Sequence, residues 1–364
     1  MRFPEFCEEW MRCTLGDITE NFSRRNKEEI LYPMFSVTNN KGFIPQSEQF
    51  EDREMIGEDI KAYKIIHKDD FAYNPARINV GSIAKYNEEN PCMISSLYVC
   101  FKTNPKIDND WMMQLLKTPK MNFYYNINGE GGVRIYLFYP NFARIKTSYP
   151  TLKEQQKISS FLTLLDERIS TQNKIIEQLQ SLIKGIYDKT FANFSKYQTL
   201  SAICKIQKGQ QINGEELSEF GEYYVMNGGI EPSGYYDKYN TMPNTISISE
   251  GGNSCGYIQF NTVPFWSGGH CYTLQGISTE YNTHFVYHYL KSKEKEIMSL
   301  RIGSGLPNIQ KKDLEIFPIP ELSLETQIRI SNGINKIETK LKQEKNMLSA
   351  YQTQKAYLLR NLFI

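Results

Sequence analysis

Apolar positions follow two different rhythms along this chain, and the pair of rhythms occurs twice. Over residues 158–191, the positions Leu162, Leu165, Ile169, Gln172, Ile176, Leu179, Ile183 and Ile186 are separated by steps of three and four. That spacing predicts a long helix with one apolar seam, and Gln172 is the only polar residue in the series. Over 330–363 the same steps pick out Ile334, Ile337, Leu341, Glu344, Leu348, Tyr351, Lys355 and Leu358, with Lys355 reading as an interruption of the seam. The stretches before each helix carry short runs rich in Ile, Val, Tyr and Phe, broken by Gly, Asn and Pro. They predict short strands and loops in small mixed α/β domains.

The two copies are one sequence written twice. A shift of 172 residues carries Ile158–Phe191 onto Ile330–Phe363 without a gap, and Glu344 falls on Gln172. About 34 helical residues span roughly 50 Å at 1.5 Å per residue, which suits pairing of each helix with its twin. Antiparallel pairing about a pseudo-two-fold axis places Gln172 and Glu344 near the middle of the seam, as a polar layer that fixes register. The rival arrangement packs each helix on its own globular half. Upstream, Tyr149-Pro150-Thr151-Leu152-Lys153-Glu154-Gln155 parallels Ile319-Pro320 through Gln327 with two extra residues in the second copy. Trp111–Leu116 answers Phe285–Leu290 as a short apolar helix, and Gly129–Arg134 answers Gly303–Asn308 as a glycine-rich turn. The predicted fold class is α+β: two mixed α/β domains, 1–150 and 192–320, in a pseudo-two-fold arrangement and separated by two long antiparallel coiled-coil helices, 151–191 and 321–364.

Composition adds limits. With 40% hydrophobic and 23% charged residues in 364, each half can build a packed core. The net charge of +1 excludes a global basic field, so any contact with nucleic acid must come from local patches. Seven cysteines, an odd number with no CxxC pair, and a start that is polar from Met1-Arg2-Phe3-Pro4-Glu5 onward predict free thiols in a reducing cytoplasm. No apolar run approaches the roughly 20 residues a membrane span needs.

The residues quoted so far carry a resemblance. Leu15-Gly16-Asp17-Ile18, the Tyr-Pro-Thr-Leu-Lys-Glu-Gln segment at 149–155, the Phe161–Ile169 helix start and the closing Leu-Phe, in order and twice, resemble the specificity subunit of type I restriction-modification systems from end to end. The resemblance implies two target-recognition domains, each reading one half of a split, asymmetric site on double-stranded DNA. It also implies two helical regions that space the domains and dock two methylation subunits, with restriction subunits joining that core. S-adenosylmethionine, ATP and Mg are then expected on the partner subunits and no cofactor on this chain. Two readers on one face of B-DNA sit about one turn apart, roughly 34 Å, a distance that helices of this length can set.

Base reading needs Arg, Lys, Asn or Gln on loops, while Lys, Arg and backbone amides hold phosphates. The first half offers Arg24, Arg25 and Lys27 around Asn26, then Asn39, Asn40 and Lys41, Arg77 and Asn79, and Arg134. The second offers Lys205, Lys208, Gln210 and Gln211, Asn227, Asn253 and Ser254, Asn308, and Lys311 and Lys312. Taken singly, such residues are more often solvated turns; the clusters beside glycines carry the reading. Catalytic motifs are missing. Asn74-Pro75-Ala76-Arg77 lacks the second proline and the aromatic of an amino-methyltransferase motif, and no GxxxxGK[ST] loop occurs. Glu58 and Lys61 have the spacing that ends a nuclease metal site but no Pro-Asp strand before them, and His284 and His288 lack the glutamate of a zinc hydrolase helix. The sequence therefore predicts a non-catalytic, DNA-reading subunit with no metal site. Its rivals are an interaction scaffold of two adaptor domains on a helical stalk and a metal-dependent nuclease acting alone.

Overall fold

The structure, a computed structural model, describes residues 2–49, 60–132, 135–303, 305 and 307–363. Internal contacts divide the chain into two compact units, Met1–Gln172 with Met347–Ile364, and Asn173–Asn346. The sequence-based bounds set both long helices whole outside the domains. By contacts, each unit takes part of each helix.

The first unit opens with β1 (Met11–Thr14), α1 (Leu15–Ile18) and β2 (Thr19–Phe22). The Leu-Gly-Asp-Ile motif is a helix start: the Asp17 carboxylate accepts from both the backbone N–H and the hydroxyl of Thr14, at 2.7 and 2.8 Å. Leu15 and Ile18 enter the core. The hairpin β3 (Phe35–Thr38) and β4 (Gly42–Pro45) leads into α2 (Gln46–Gln49). Then come β5 (Lys64–Ile66), β6 (Phe71–Tyr73), β7 (Ile83–Lys85), β8 (Cys92–Ile94) and β9 (Val99–Thr103). Strands β2, β9, β6 and β7 form one antiparallel sheet in that order. Helices α3 (Asn109–Leu116), α4 (Pro119–Asn128) and α5 (Tyr139–Ala143) follow, then β10 (Lys146–Tyr149), which pairs back on β1, and α6 (Leu152–Thr190).

The second unit repeats this plan. Its elements are β11 (Tyr197–Thr199), α7 (Leu200–Ile203), β12 (Lys205–Lys208), β13 (Tyr223–Met226), β14 (Tyr235–Tyr236), β15 (Thr245–Ser249), β16 (Ile258–Asn261), β17 (Trp266–Ser267) and β18 (Cys271–Gln275). Helices α8 (Thr283–Ser292), α9 (Glu294–Ser299) and α10 (Lys311–Glu315), strand β19 (Pro318–Pro320) and α11 (Leu324–Asn361) complete it. Its four-stranded sheet runs β12, β18, β15, β16, all antiparallel, so each strand has a counterpart in the first unit, and β11 pairs with β19 as β1 does with β10. The units differ in what is inserted: the β3–β4 and β5–β8 pairs in the first, and the β14–β13–β17 sheet in the second.

The register of the repeat corrects one sequence expectation. Strands β10 and β19, and helices α6 and α11, begin 172 residues apart, so no extra residues precede the second long helix. Leu322, not Pro320, answers Pro150: Gln155 donates to the Pro150 carbonyl at 2.9 Å, and Gln327 to that of Leu322 at 2.9 Å. The two-residue difference lies further upstream, because α3 and α8 begin 174 residues apart while the bridges Glu130↔Tyr136 and Ile302↔Asn308 are again 172 apart.

Every seam position expected from the three-four spacing is buried or half-buried in α6 and α11, including Leu162, Leu165, Ile169, Ile176, Leu179, Ile183, Ile334, Ile337, Leu341, Leu348 and Tyr351. Gln172 and Glu344 are buried too. Within the first unit the helices run antiparallel, with Asp166 meeting Lys355 and Arg168 meeting Tyr351. Lys355 therefore does not interrupt the seam; it occupies it as half of an ion pair. Within the second unit Tyr187 of α6 meets Glu338 of α11 at 3.3 Å. The seams also pack on the globular parts: Leu162, Leu165 and Leu358 share a core with Leu15, Trp111 and Phe142, and Ile334 shares one with Phe191, Leu200 and Phe285. Helix pairing and packing on the domain, posed as rivals, coexist.

Candidate nucleic-acid interface

In the second unit the loops at one end of the four-stranded sheet meet around Glu250, the residue that follows β15. Lys208 ends β12, and its Nζ donates to Glu250 Oε1 at 2.5 Å; the Tyr272 hydroxyl donates to the same oxygen at 3.0 Å. The next loops close in through backbone. The Glu250 N–H donates to the His270 carbonyl at 2.9 Å, that of Ile309 to the Glu250 carbonyl at 2.9 Å, and that of Gly252 to the Pro307 carbonyl at 3.0 Å. Asn227 Oδ1 accepts from the His270 N–H at 3.1 Å, and the Ser249 hydroxyl donates to the Gly228 carbonyl at 2.6 Å. Glycine is required for this convergence: a Cβ on Gly209 would lie 2.2 Å from the Gly268 carbonyl oxygen, and one on Gly268 would lie 2.7 Å from Asn227 Oδ1.

Five segments that the sequence singled out separately, at 208–211, 227–229, 251–254, 308 and 310–312, thus share one end of one unit. Gln210, Gln211, Asn253, Asn308, Lys311 and Lys312 are exposed there, and Asn227 and Ser254 half-buried. Lys311 is paired with Glu315 at 3.4 Å. Lys205 does not join them: it pairs with Gln275 at the opposite end of β12.

The first unit brings together fewer of its candidates. The Asn39-Asn40-Lys41 tip of the β3–β4 hairpin lies against the turn that carries Arg77 and Asn79. There the Ser82 hydroxyl donates to the Val37 carbonyl at 2.7 Å, and a Cβ on Gly81, at φ +101°, would lie 3.1 Å from the Asn39 carbonyl oxygen. Arg77 is exposed, and Asn79 donates to Asn126 Oδ1 at 3.0 Å. Arg24, Arg25 and Lys27 form a second group beside β5. Arg24 is committed to Asp70 at 2.9 Å, and Asn26 is fully buried, its side chain bonded to both backbone groups of Ile30. Arg134 and Glu58 lie outside the described residues; Lys61 is paired with Glu29 at 2.7 Å.

The flanking bonds place Pro75 where the second unit has Glu250: the Leu137 N–H donates to the Pro75 carbonyl at 2.9 Å, as the N–H of Ile309, 172 residues on, donates to that of Glu250 at 2.9 Å. The Asn-Pro-Ala-Arg segment is a turn, with Asn74 Oδ1 accepting from the Ala76 N–H at 3.0 Å. It lines a cleft of about 810 Å³ whose other walls include Arg77, Leu97, Tyr136 and Phe138. Leu97 is 78% exposed, and Tyr136 stacks on Phe138 with ring centroids 6.3 Å apart. The two units therefore present different chemistry at equivalent places, apolar and aromatic with one guanidinium in the first, ionic in the second.

Sequence reasoning passed over Glu250, His270, Tyr272, Leu97 and Tyr136. A signal existed for two of them: Glu250 precedes Gly251-Gly252 and His270 follows Gly268-Gly269, charged or titratable residues each abutting a glycine pair. The His284 and His288 pair is not at this end. His288 is buried between Tyr187, 3.0 Å from Nδ1, and Asn335, 2.8 Å from Nε2, and burial pushes its imidazole down to about 4. Among the described residues no group of three His, Cys, Asp or Glu could hold a metal ion, and no helix is long and apolar enough to cross a membrane. The seven cysteines are free.

The model of the type I restriction modification DNA specificity domain matches this chain twice, over residues 7–181 and 195–349. The chain belongs to that family. A putative type I specificity subunit of Mycoplasma pneumoniae is 35% identical over 154 residues, which are 42% of this chain and 40% of that relative. This chain thus spans under half the length of that relative in the match. A putative type I restriction enzyme specificity subunit of Methanocaldococcus jannaschii is 24% identical over 92% of this chain and 88% of its own length. Among solved structures, the S subunit of a type I restriction-modification system from M. genitalium has a TM-score of 0.73 at 19% identity, covering 100% of this chain and 97% of that one. That likeness is one of fold. The loop ends described above all lie within the two matched regions.

Proposed function

We propose that this chain is the DNA-reading subunit of a type I restriction-modification complex and that each unit reads one half of a bipartite, asymmetric target. The observation that carries the reading is the pairing of one repeated scaffold with two different loop chemistries. A duplicated sheet and duplicated helices supply the same platform twice, while the ionic cluster at Glu250 and the apolar cleft at Arg77 would recognise different bases. In this reading the chain is non-catalytic. It directs two methylation subunits and the restriction subunits to the site, and S-adenosylmethionine, ATP and Mg belong to those partners.

The test is sequencing of methylated adenines on plasmid DNA from a host carrying this chain with a type I methylation subunit. The expected result is a split motif of two short half-sites around a fixed gap, altered in one half alone when residues 1–150 are exchanged. No motif from a complex shown to assemble would overturn the reading in favour of a scaffold without a DNA role.

A further inference from the structure

We infer that Glu250 is a specificity-determining residue of the second unit, an acceptor that reads the exocyclic amino group of a base in the major groove. The inference rests on the DNA-reading role proposed above. Glu250 is only 9% exposed, at the end of the sheet where the five loops meet. Its Oε1 accepts from Lys208 and Tyr272, but its Oε2 is buried with no hydrogen-bond partner. The imidazole Nδ1 of His270 stands 3.5 Å from that oxygen. A buried carboxylate oxygen without a donor is destabilising, and folded proteins keep such groups where function needs them.

The surroundings select the donor. His270 and Lys208 cover the carboxylate, and both are more than half exposed on rotatable stems, so they can yield to an incoming molecule. A phosphate is repelled by the carboxylate and goes to Lys208 instead. A metal ion lacks ligands, since no group of three suitable side chains occurs among the described residues. What remains is a neutral N–H donor carried on double-stranded DNA, and the major groove offers two, cytosine N4 and adenine N6. Pro75, in the equivalent place of the first unit, has no side-chain acceptor, so this acceptor belongs to the second half-site alone.

The experiment is selection from a randomised duplex pool by the full-length chain assembled with its methylation subunits, comparing wild type, Glu250→Gln and Lys208→Ala. Glutamine keeps an acceptor for Tyr272 and adds an NH₂ donor. Preference at one base pair of one half-site should shift about tenfold from an amino-bearing toward a carbonyl-bearing base, with the rest of the motif unchanged. Lys208→Ala should weaken all sequences alike. Cytosine and adenine are told apart by duplexes in which the amino group of either is deleted at that position: wild type should lose affinity for one of them and Glu250→Gln should not. An unchanged motif in a Glu250→Gln chain of wild-type melting temperature overturns the inference, as does a lowered melting temperature with the motif intact, which marks a structural residue. A wild-type complex that selects no motif overturns instead the DNA-reading role itself.

Discussion

Gln155 and Gln327 stand 172 residues apart and make the same three hydrogen bonds. Each is fully buried. Gln155 accepts from the Asp108 N–H at 2.8 Å and donates to the carbonyls of Lys106 and Pro150; Gln327 accepts from the Asn282 N–H at 2.8 Å and donates to those of Glu280 and Leu322. Asp108 and Asn282 in turn cap α3 and α8 by accepting from Trp111 and Phe285. One side chain thus ties the start of a long helix to the start of a domain helix. Replacing either glutamine by alanine removes the partner of three backbone groups at the edge of the core and should destabilise its unit by about 2 to 3 kcal/mol, read as a lower denaturant midpoint. His288 sets a pH dependence. Its imidazole is pushed down to about 4 by burial, below the unfolded value near 6.5, so the unfolded chain binds the extra proton. The resulting stability is complete above pH 6.5 and is lost as pH falls toward 4, a change of about 3 kcal/mol in the second unit. Glu338, held above the usual carboxylate range by burial, acts in the opposite sense and trims the acid end of that slope. Gln114 occupies the place of His288 in the first unit, so His288→Gln should flatten the acid limb of a stability-against-pH curve. Of these residues the sequence showed only the pattern around them: a glutamine between two lysines or after a threonine looks like solvated helix surface, because burial of one polar side chain leaves no periodic trace.

At the scale of elements, the long helices were the most legible part, since a three-four rhythm sustained over eight positions has one physical cause, an apolar seam. Leu162 and Leu164 show how sharply it discriminates. Leu162 is fully buried in the first core and Leu164 is largely exposed. Leu162→Ala should lower stability by about 2 to 5 kcal/mol, whereas Leu164→Ala should leave the unfolding midpoint nearly unchanged. The strands were legible as short β-rich runs, but their order was not. Strand β9 sits between β2 and β6, neighbours that are remote from it in the chain, and such pairing is decided by long-range packing that no local window records. The same reason hid the true place of the two-residue difference. Proline at 150 and 320 suggested an alignment, while the strand ladder and the glutamine bonds follow the helix register instead.

For the whole molecule, the net charge of +1 decides how it should meet DNA. No global field steers the duplex, so affinity must come from a limited number of local phosphate contacts, each releasing condensed counterions. The sequence named the cationic loops of the second unit separately, but that Lys208, Lys311 and Lys312 share one end with Glu250 follows only from folding segments about a hundred residues apart into one sheet. This placement makes a quantitative prediction for the assembled complex. Each lysine that contacts a phosphate adds roughly 0.9 to the magnitude of the slope of log K against log salt, so Lys312→Ala should reduce that slope by about one and weaken cognate and unrelated duplexes alike. Lys205→Ala, at the far end of the same strand, should leave the slope as it was. Equal effects of the two substitutions would mean that DNA does not lie on the loop end of the sheet. A slope unaltered by either would place the phosphate contacts of this unit on residues other than these lysines.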